Sequence, residues 1–261
     1  MAVKDGTMRV PYSKRSKNMD NEDCLFLNVY TPLKKMLPVM VYIHEGAYLY
    51  GSSSSLEFGP EYLLDSDVVL VTMDCRLGLL GFLSTGNGEA PGNFGLKDQV
   101  LALLWVQENI PNFGGNPQKV TLFGLSSQSN CVHFHTLSDA SNGLFHQYIM
   151  QGGDAISYRS FQERREYSKF SKAVGERFGC PFNNSRLLVN YLRNDKATRL
   201  YDSISVFNKT WQLLEMMCTP TNEPNIDGVF ITDTPFNLLR GKSRKDYPFI
   251  NGMTKDEELY F

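Results

Sequence analysis

Apolar side chains in this chain gather in short runs set between longer mixed stretches. Residues 25–30 alternate apolar and polar positions, the pattern of a strand with one covered face. Residues 39–44, 68–73 and 120–123 are instead almost continuously apolar. Such runs suit strands covered on both faces, as in a parallel sheet. Between the last two, residues 96–109 place Leu96, Val100, Leu103, Leu104 and Val106 near helical spacing, and Asn112-Phe113-Gly114-Gly115 closes the unit. Strand, helix, strand in that order predicts a βαβ arrangement and a doubly wound, mostly parallel α/β fold.

The texture changes after Gln151. Residues 161–178 are charged with helical spacing, residues 181–185 form a Pro/Asn-rich break, and residues 187–192 predict a second helix. Further strands are expected at 229–232 and 247–252. This reads as a helical insertion over the sheet rather than a separate domain. There is no internal repeat and no low-complexity segment.

Composition narrows the partners. At 261 residues and 42% hydrophobic, the chain can bury a substantial core as one α/β unit. Its net charge is −2 with no lysine or arginine stripe, which argues against nucleic acid. Lys14, Arg15 and Lys17, and Lys242, Arg244 and Lys245, are expected to be solvated loops. No apolar stretch approaches a membrane span. The first residues carry no signal-peptide apolar core, so, read literally, the chain is soluble and begins in the cytosol. The five cysteines (Cys24, Cys75, Cys131, Cys180, Cys218) lack metal-ligand spacing and are expected to be thiols. Asn183-Asn184-Ser185 and Asn208-Lys209-Thr210 are glycosylation sequons, a light hint of secretory ancestry.

Three separated segments carry candidate chemistry. In the first, a β-branched strand from Val120 runs into Gly124-Leu125-Ser126-Ser127-Gln128. A Gly-x-Ser turn at a strand end lifts a serine above the sheet, though here Gln128 stands where G-x-S-x-G has its second glycine. The hydroxyl needs a neighbouring base, and a helix N-terminus favours the negative charge that develops. Alone, a serine in a turn is commonplace. The second segment is Tyr42-Ile43-His44-Glu45-Gly46-Ala47-Tyr48. Its small residues suit backbone N–H groups that stabilise an oxyanion, or simply a turn. The third, Gly252-Met253-Thr254-Lys255-Asp256-Glu257, offers a carboxylate after a strand to orient a histidine, or exposed acids at a helix start.

Together these segments resemble the type B carboxylesterase and cholinesterase-like family of α/β hydrolases, especially its insect esterase branch. The resemblance runs over residues 21–261. Its blocks stand in order: Glu22-Asp23-Cys24-Leu25, then Arg76-Leu77-Gly78-Leu79-Leu80-Gly81-Phe82-Leu83-Ser84, then Pro91-Gly92-Asn93-Phe94-Gly95-Leu96-Lys97-Asp98-Gln99, then Phe113-Gly114-Gly115-Asn116-Pro117, then the serine turn. It implies an α/β-hydrolase fold, with residues 1–261 as a single partial domain whose C-terminal part is missing. It further implies a carboxylic ester hydrolase working through an acyl-enzyme. Ser126 would be the nucleophile, Glu257 the triad acid, and the backbone N–H groups of Gly46, Ala47 and Ser127 the oxyanion donors. The substrate would be a small-molecule carboxylic ester, with no metal and no organic cofactor; family members are often secreted.

Several positions depart from the family pattern. The triad histidine should come last, yet the chain stops at Phe261. His44 belongs to the oxyanion segment, His133 and His135 to the helix after Ser126, and His146 is expected at the surface. None is expected to reach Ser126, so activity should be impaired. Gln128 is expected to strain the turn. Leu125 replaces an acid, Glu45 the first glycine of the oxyanion loop, Gly152 a serine that supports the triad acid, and Glu258 a glycine. The family bridges ending at Cys24 and starting at Cys180 are expected to be absent, the second because its partner position is Tyr191. An unpaired sheet edge would make the chain poorly soluble alone. The alternative function is a non-catalytic, cholinesterase-like binding or adhesion protein with a protein partner. Tyr48, Trp105 and residues 207–211 are candidates for a substrate gorge, though each suits a core equally.

Overall fold

The structure, a computed structural model, describes residues 22–157, 160–200, 218–241 and 245–256. Its strands are β1 (Leu27–Tyr30), β2 (Leu37–Ile43), β3 (Val69–Met73), β4 (Gly115–Leu125), β5 (Gln147–Gln151) and β6 (Phe249–Gly252). They form one sheet in the order β1-β3-β2-β4-β5-β6. Only β1 is antiparallel to its neighbour. The continuous apolar runs became the central strands: Val39, Val41, Val69, Val71, Met73, Val120 and Leu122 are fully buried. The alternation at β1 has a different cause from a simple apolar face. Its one buried residue is Asn28, whose amide donates to the Ser53 carbonyl at 2.8 Å and to Thr72 Oγ1 at 3.1 Å.

The helices are α1 (Gly78–Phe82), α2 (Phe94–Asn109), α3 (Ser127–Leu137), α4 (Tyr167–Phe178), α5 (Ser185–Arg193) and α6 (Pro235–Arg240). On α2 the buried arc runs through Leu96, Gln99, Leu103 and Val106. Leu104, expected inside, is 42% exposed. It lies about 80° round the helix from Leu96, on the side away from Val106. Strand order explains where a site forms. From β2 the chain moves one way to β3; through α2 it crosses back to β4, and through α3 it continues to β5. Right-handed crossovers in opposite directions place their connections on opposite faces. The loops leaving β2 and β4 therefore diverge, and the crevice between them is the position where open α/β sheets bind ligands.

Beyond Gln151 the expected helical region is present, with three corrections. The first helix starts at Tyr167, not 161, because Gln162 bridges to Thr221 and residues 164–166 form a tight 3₁₀ turn. Residues 229–232 are not a strand. There the Phe230 N–H donates to the buried Glu223 carboxylate at 3.0 Å, and the Ile231 carbonyl accepts from the Glu223 N–H at 2.8 Å. The same carboxylate accepts from Asn93 Nδ2 at 2.8 Å and pairs with Lys97, so it ties this loop to the start of α2. The third correction is Lys245, which is buried rather than solvated. Its ammonium donates to the His135 carbonyl at 2.9 Å and to the Ser138 carbonyl, capping the C-terminal end of α3 where positive charge is favoured. Burial lowers its pKa to about 8. Lys242 and Arg244 lie outside the described residues.

None of the five cysteines is in a disulfide. The Tyr191 hydroxyl, at the position where the resemblance implied a bridge partner, donates to the Phe178 carbonyl at 3.2 Å. Strand β6 is exposed along its length, with Phe249 at 58% and Ile250 at 65%, and no strand pairs with its outer edge among the described residues. No described helix is long and apolar enough to cross a membrane.

His135 generates a pH prediction. Its ring is fully buried, with Nδ1 at 2.7 Å from Ser141 Oγ and Nε2 at 2.9 Å from Gln99 Oε1. Burial first, and the Lys245 charge second, lower its pKa to about 3. In the unfolded chain the imidazole takes a proton near pH 6.5; in the folded chain it does not until about pH 3. Over that interval the unfolded state binds the extra proton, so stability falls as pH drops. This one group contributes a slope of about 1.4 kcal/mol per pH unit. Thermal or denaturant unfolding between pH 6 and 4 should show a flatter dependence in His135→Gln than in the parent. Parallel profiles would contradict a neutral buried imidazole.

Candidate active site

Register brings the candidate residues together. Parallel pairing sets Tyr42 opposite Phe123 and Ile43 opposite Gly124. The chain thus leaves β2 into His44–Tyr48 beside the point where it leaves β4 into Leu125 and Ser126. Ser126 sits between β4 and α3 with φ 57° and ψ −127°. That conformation is disfavoured for a side chain with a Cβ by about 1–3 kcal/mol and persists only when the surroundings hold it. Here the Ser126 N–H donates to the Gln151 carbonyl at 2.8 Å, while the Ser126 carbonyl accepts from the Ser129 N–H at 2.9 Å. Ser126 stays half-exposed at the head of an 11-residue helix.

Close packing beneath the turn is provided at Gly124 rather than at position 128. A Cβ on Gly124 would lie 2.8 Å from the Gln128 carbonyl oxygen. Gln128 itself is fully buried and accommodated. Its Oε1 accepts from Gln99 Nε2 at 3.3 Å, and Gln99 in turn accepts from His135, so a buried polar chain runs beneath the serine helix. The expected strain reduces to an unsatisfied Gln128 Nε2, a destabilising feature of roughly 1–3 kcal/mol.

Opposite Ser126, the β2 loop runs through Gly46 (φ 139°), Ala47 (φ 53°) and Tyr48 (φ 62°). Among the described residues no acceptor takes the Gly46 or Ala47 N–H. Ser127 is the first residue of α3, so its N–H has no acceptor within the helix. Three amides, two on the β2 loop and one at the start of α3, are therefore without an acceptor among the described residues beside the Ser126 turn. Glu45 is held by the Tyr42 hydroxyl, which donates to Oε2 at 2.6 Å. The Tyr42 pKa is pushed up by burial, then by Glu45. Glu257, the candidate triad acid, lies outside the described residues, as do 207–211. Gly152, at the end of β5, donates its N–H to the Gly252 carbonyl at 2.8 Å.

All four histidines have partners other than Ser126. The ring of His44 lies 3.0 Å from the Glu45 carbonyl, and His133 Nδ1 accepts from the Ala155 N–H at 3.1 Å. His135 is buried as described. His146 is half-buried, not simply at the surface, and its Nδ1 accepts from the Val120 N–H at 3.3 Å. Val120 is six residues upstream of Ser126 along β4, roughly 20 Å at the rise of a strand. Burial pushes the Cys75 and Cys218 thiols up to about 12 and raises those of Cys131 and Cys180 as well, so none of these four is an activated thiolate. Among the described residues no cluster of three His, Cys, Asp or Glu could hold a metal.

Sequence reasoning missed two contacts here. The Tyr48 N–H donates to Ser127 Oγ at 3.3 Å, and Asn130 Nδ2 donates to the Tyr48 hydroxyl at 2.9 Å. Tyr48 is thus a core residue at 4% exposure, as is fitting for a loop packed on α3; Trp105 packs on Phe113. The adjacency of Tyr48 to Gly46-Ala47 was the only signal available.

Residues 5–261 match the Carboxylesterase family. Esterase FE4 of Myzus persicae is 39% identical over 260 residues, covering 97% of this chain and 45% of that protein. Juvenile hormone esterase of Tribolium castaneum is 40% identical over 248 residues, 92% of this chain and 42% of that one. Acetylcholinesterase of Danio rerio is 40% identical over 252 residues, 92% and 38%. Among solved structures, juvenile hormone esterase from Manduca sexta with OTFP covalently attached superposes with a TM-score of 0.82 at 32% identity, covering 88% of this chain and 44% of that one. The chain spans less than half the length of each. The fold is that of the α/β hydrolases, as the sequence resemblance implied.

The packing under the turn is testable. A Cβ on Gly153 would lie 2.6 Å from the Ser126 carbonyl oxygen and 2.4 Å from Asn130 Oδ1. Gly153→Ala should lower unfolding stability by about 1–3 kcal/mol. Gly252→Ala, whose Cβ meets nothing within 4 Å, should melt with the parent. Equal melting of the two variants would contradict close packing of Gly153 on the turn.

Proposed function

The chain belongs to the carboxylesterase family, and from that premise we propose that it is a carboxylic ester hydrolase in which Ser126 attacks the ester carbonyl. The observation that carries the reading is the strained Ser126 turn facing a loop with two unengaged amides. Attack forms the Ser126 Oγ–carbon bond and turns the carbonyl oxygen into an oxyanion, which the N–H groups of Gly46, Ala47 and Ser127 stabilise. Collapse expels the alcohol, which takes up the proton removed from Ser126, and leaves an acyl-enzyme. Water then adds to the acyl carbon, the acyl–Oγ bond breaks, Ser126 Oγ takes back a proton from that water, and the carboxylic acid leaves. In this reading Glu257 is the carboxylate that orients the base. The described residues form part of one α/β-hydrolase domain, and the substrate is a small-molecule carboxylic ester.

A second reading, a binding protein that keeps the fold without turnover, draws on Leu125, Gln128 and Gly152 in place of the family's acid, glycine and serine. One experiment separates the two. The intact protein, folded by circular dichroism, is treated with a fluorophosphonate probe and assayed on p-nitrophenyl esters. The esterase reading expects adduct on the peptide containing Ser126, ester turnover, and loss of both in Ser126→Ala, with turnover down by about 1,000-fold or more. A folded protein that neither labels nor hydrolyses would favour the binding protein.

A further inference from the structure

Tyr48 does more than fill the core, and the contacts that set it apart all concern one geometric relation. It follows Gly46 and Ala47 directly and holds φ at 62°, a conformation rare for a bulky residue. Each of its polar groups has a partner. Its N–H donates to Ser127 Oγ at 3.3 Å, and its carbonyl accepts from the Gly78 N–H at 2.7 Å. Its hydroxyl accepts from Asn130 Nδ2 at 2.9 Å and lies 3.4 Å from the Ser160 carbonyl. The ring meets Phe82 edge-on, with centroids 5.2 Å apart.

Two of these partners lie on α3. Ser127 is the residue after Ser126, and Asn130 stands one turn further along, with its own N–H donating to the Ser126 carbonyl at 3.3 Å. Two attachments a helical turn apart fix both the distance of the loop from α3 and its rotation about that helix. A core aromatic needs neither; ring packing on Phe82 would hold it in place.

We infer that Tyr48 is a positioning residue that holds the Gly46 and Ala47 amides in register with Ser126, through its N–H on Ser127 Oγ and its hydroxyl on Asn130. The inference rests on the esterase reading above. Preorganised donors act where charge develops in the transition state, so loosening the clamp slows the chemical step and leaves ground-state binding largely intact.

The test uses the intact protein with Tyr48→Phe, which removes one oxygen and keeps the ring, and Ser127→Ala, which removes the acceptor and keeps the Ser127 N–H. On a p-nitrophenyl ester each variant should lose about 10-fold in kcat with KM within about two-fold, the size of one hydrogen bond's effect. Affinity for a trifluoromethyl ketone, which forms a tetrahedral adduct on the serine, should fall by the same factor. The double variant should lose less than the product of the single losses, because both act on one loop. Should Tyr48→Phe fail to fold, Ser127→Ala decides alone. Variants whose kcat and ketone affinity stay within about two-fold of an active parent, or that raise KM alone, overturn the clamp while leaving the esterase reading standing. A parent without turnover overturns both.

Discussion

The parallel pairing of β2 with β4, from Val39 opposite Val120 to Ile43 opposite Gly124, is the constraint on which the candidate site depends. A shift of one residue would turn every side chain of a strand to the other face. Here Val39, Val41, Ile43, Val120 and Leu122 fill one face with fully buried apolar side chains, while Pro38, Met40, Tyr42, Thr121 and Phe123 lie on the other. The register is therefore tightly specified. With it fixed, the loop of Gly46-Ala47-Tyr48 and the turn of Ser126 leave the sheet side by side, at the point where connections diverge to opposite faces. What is then added is fine adjustment: a strained serine whose N–H is held by the Gln151 carbonyl, and a tyrosine linking the β2 loop to α3.

Beneath the site, polar groups do work that apolar packing does elsewhere in the core. Ser141, His135, Gln99 and Gln128 form a buried chain under α3, and Lys245 caps the far end of the same helix. Such networks fix a unique arrangement when satisfied and destabilise when a member is not. Gln128 lies on that boundary, with one atom bonded to Gln99 and the other without an acceptor. The residue that departs from the family's serine motif is thus absorbed into the packing below the turn rather than displacing it.

The parts legible in the sequence were those encoded by local periodicity. The continuous runs around Val41, Val71 and Leu122 announced buried parallel strands, and the spacing of Leu96, Leu103 and Val106 announced α2. The ordered motifs around Ser126 and Gly46 announced the family and its fold, which the comparisons bear out. What local pattern missed was set by partners far away in sequence. Residues 229–232 look like a strand but close on Glu223, whose carboxylate also reaches Asn93, 130 residues upstream. Lys245 reads as a surface charge until the end of α3 is brought beside it, 107 residues away from Ser138. Tyr48 and Asn130 are each unremarkable alone and meaningful only as a pair between the β2 loop and α3.

In the esterase reading the Ser126 turn and the Gly46-Ala47 loop form one prearranged site. A crystal structure of the intact protein after reaction with an organophosphonate tests it directly. The expected result is phosphorus bonded to Ser126 Oγ, with the phosphonyl oxygen about 2.7–3.1 Å from the backbone nitrogens of Gly46, Ala47 and Ser127. A phosphonyl oxygen turned to solvent, away from those three amides, would contradict it.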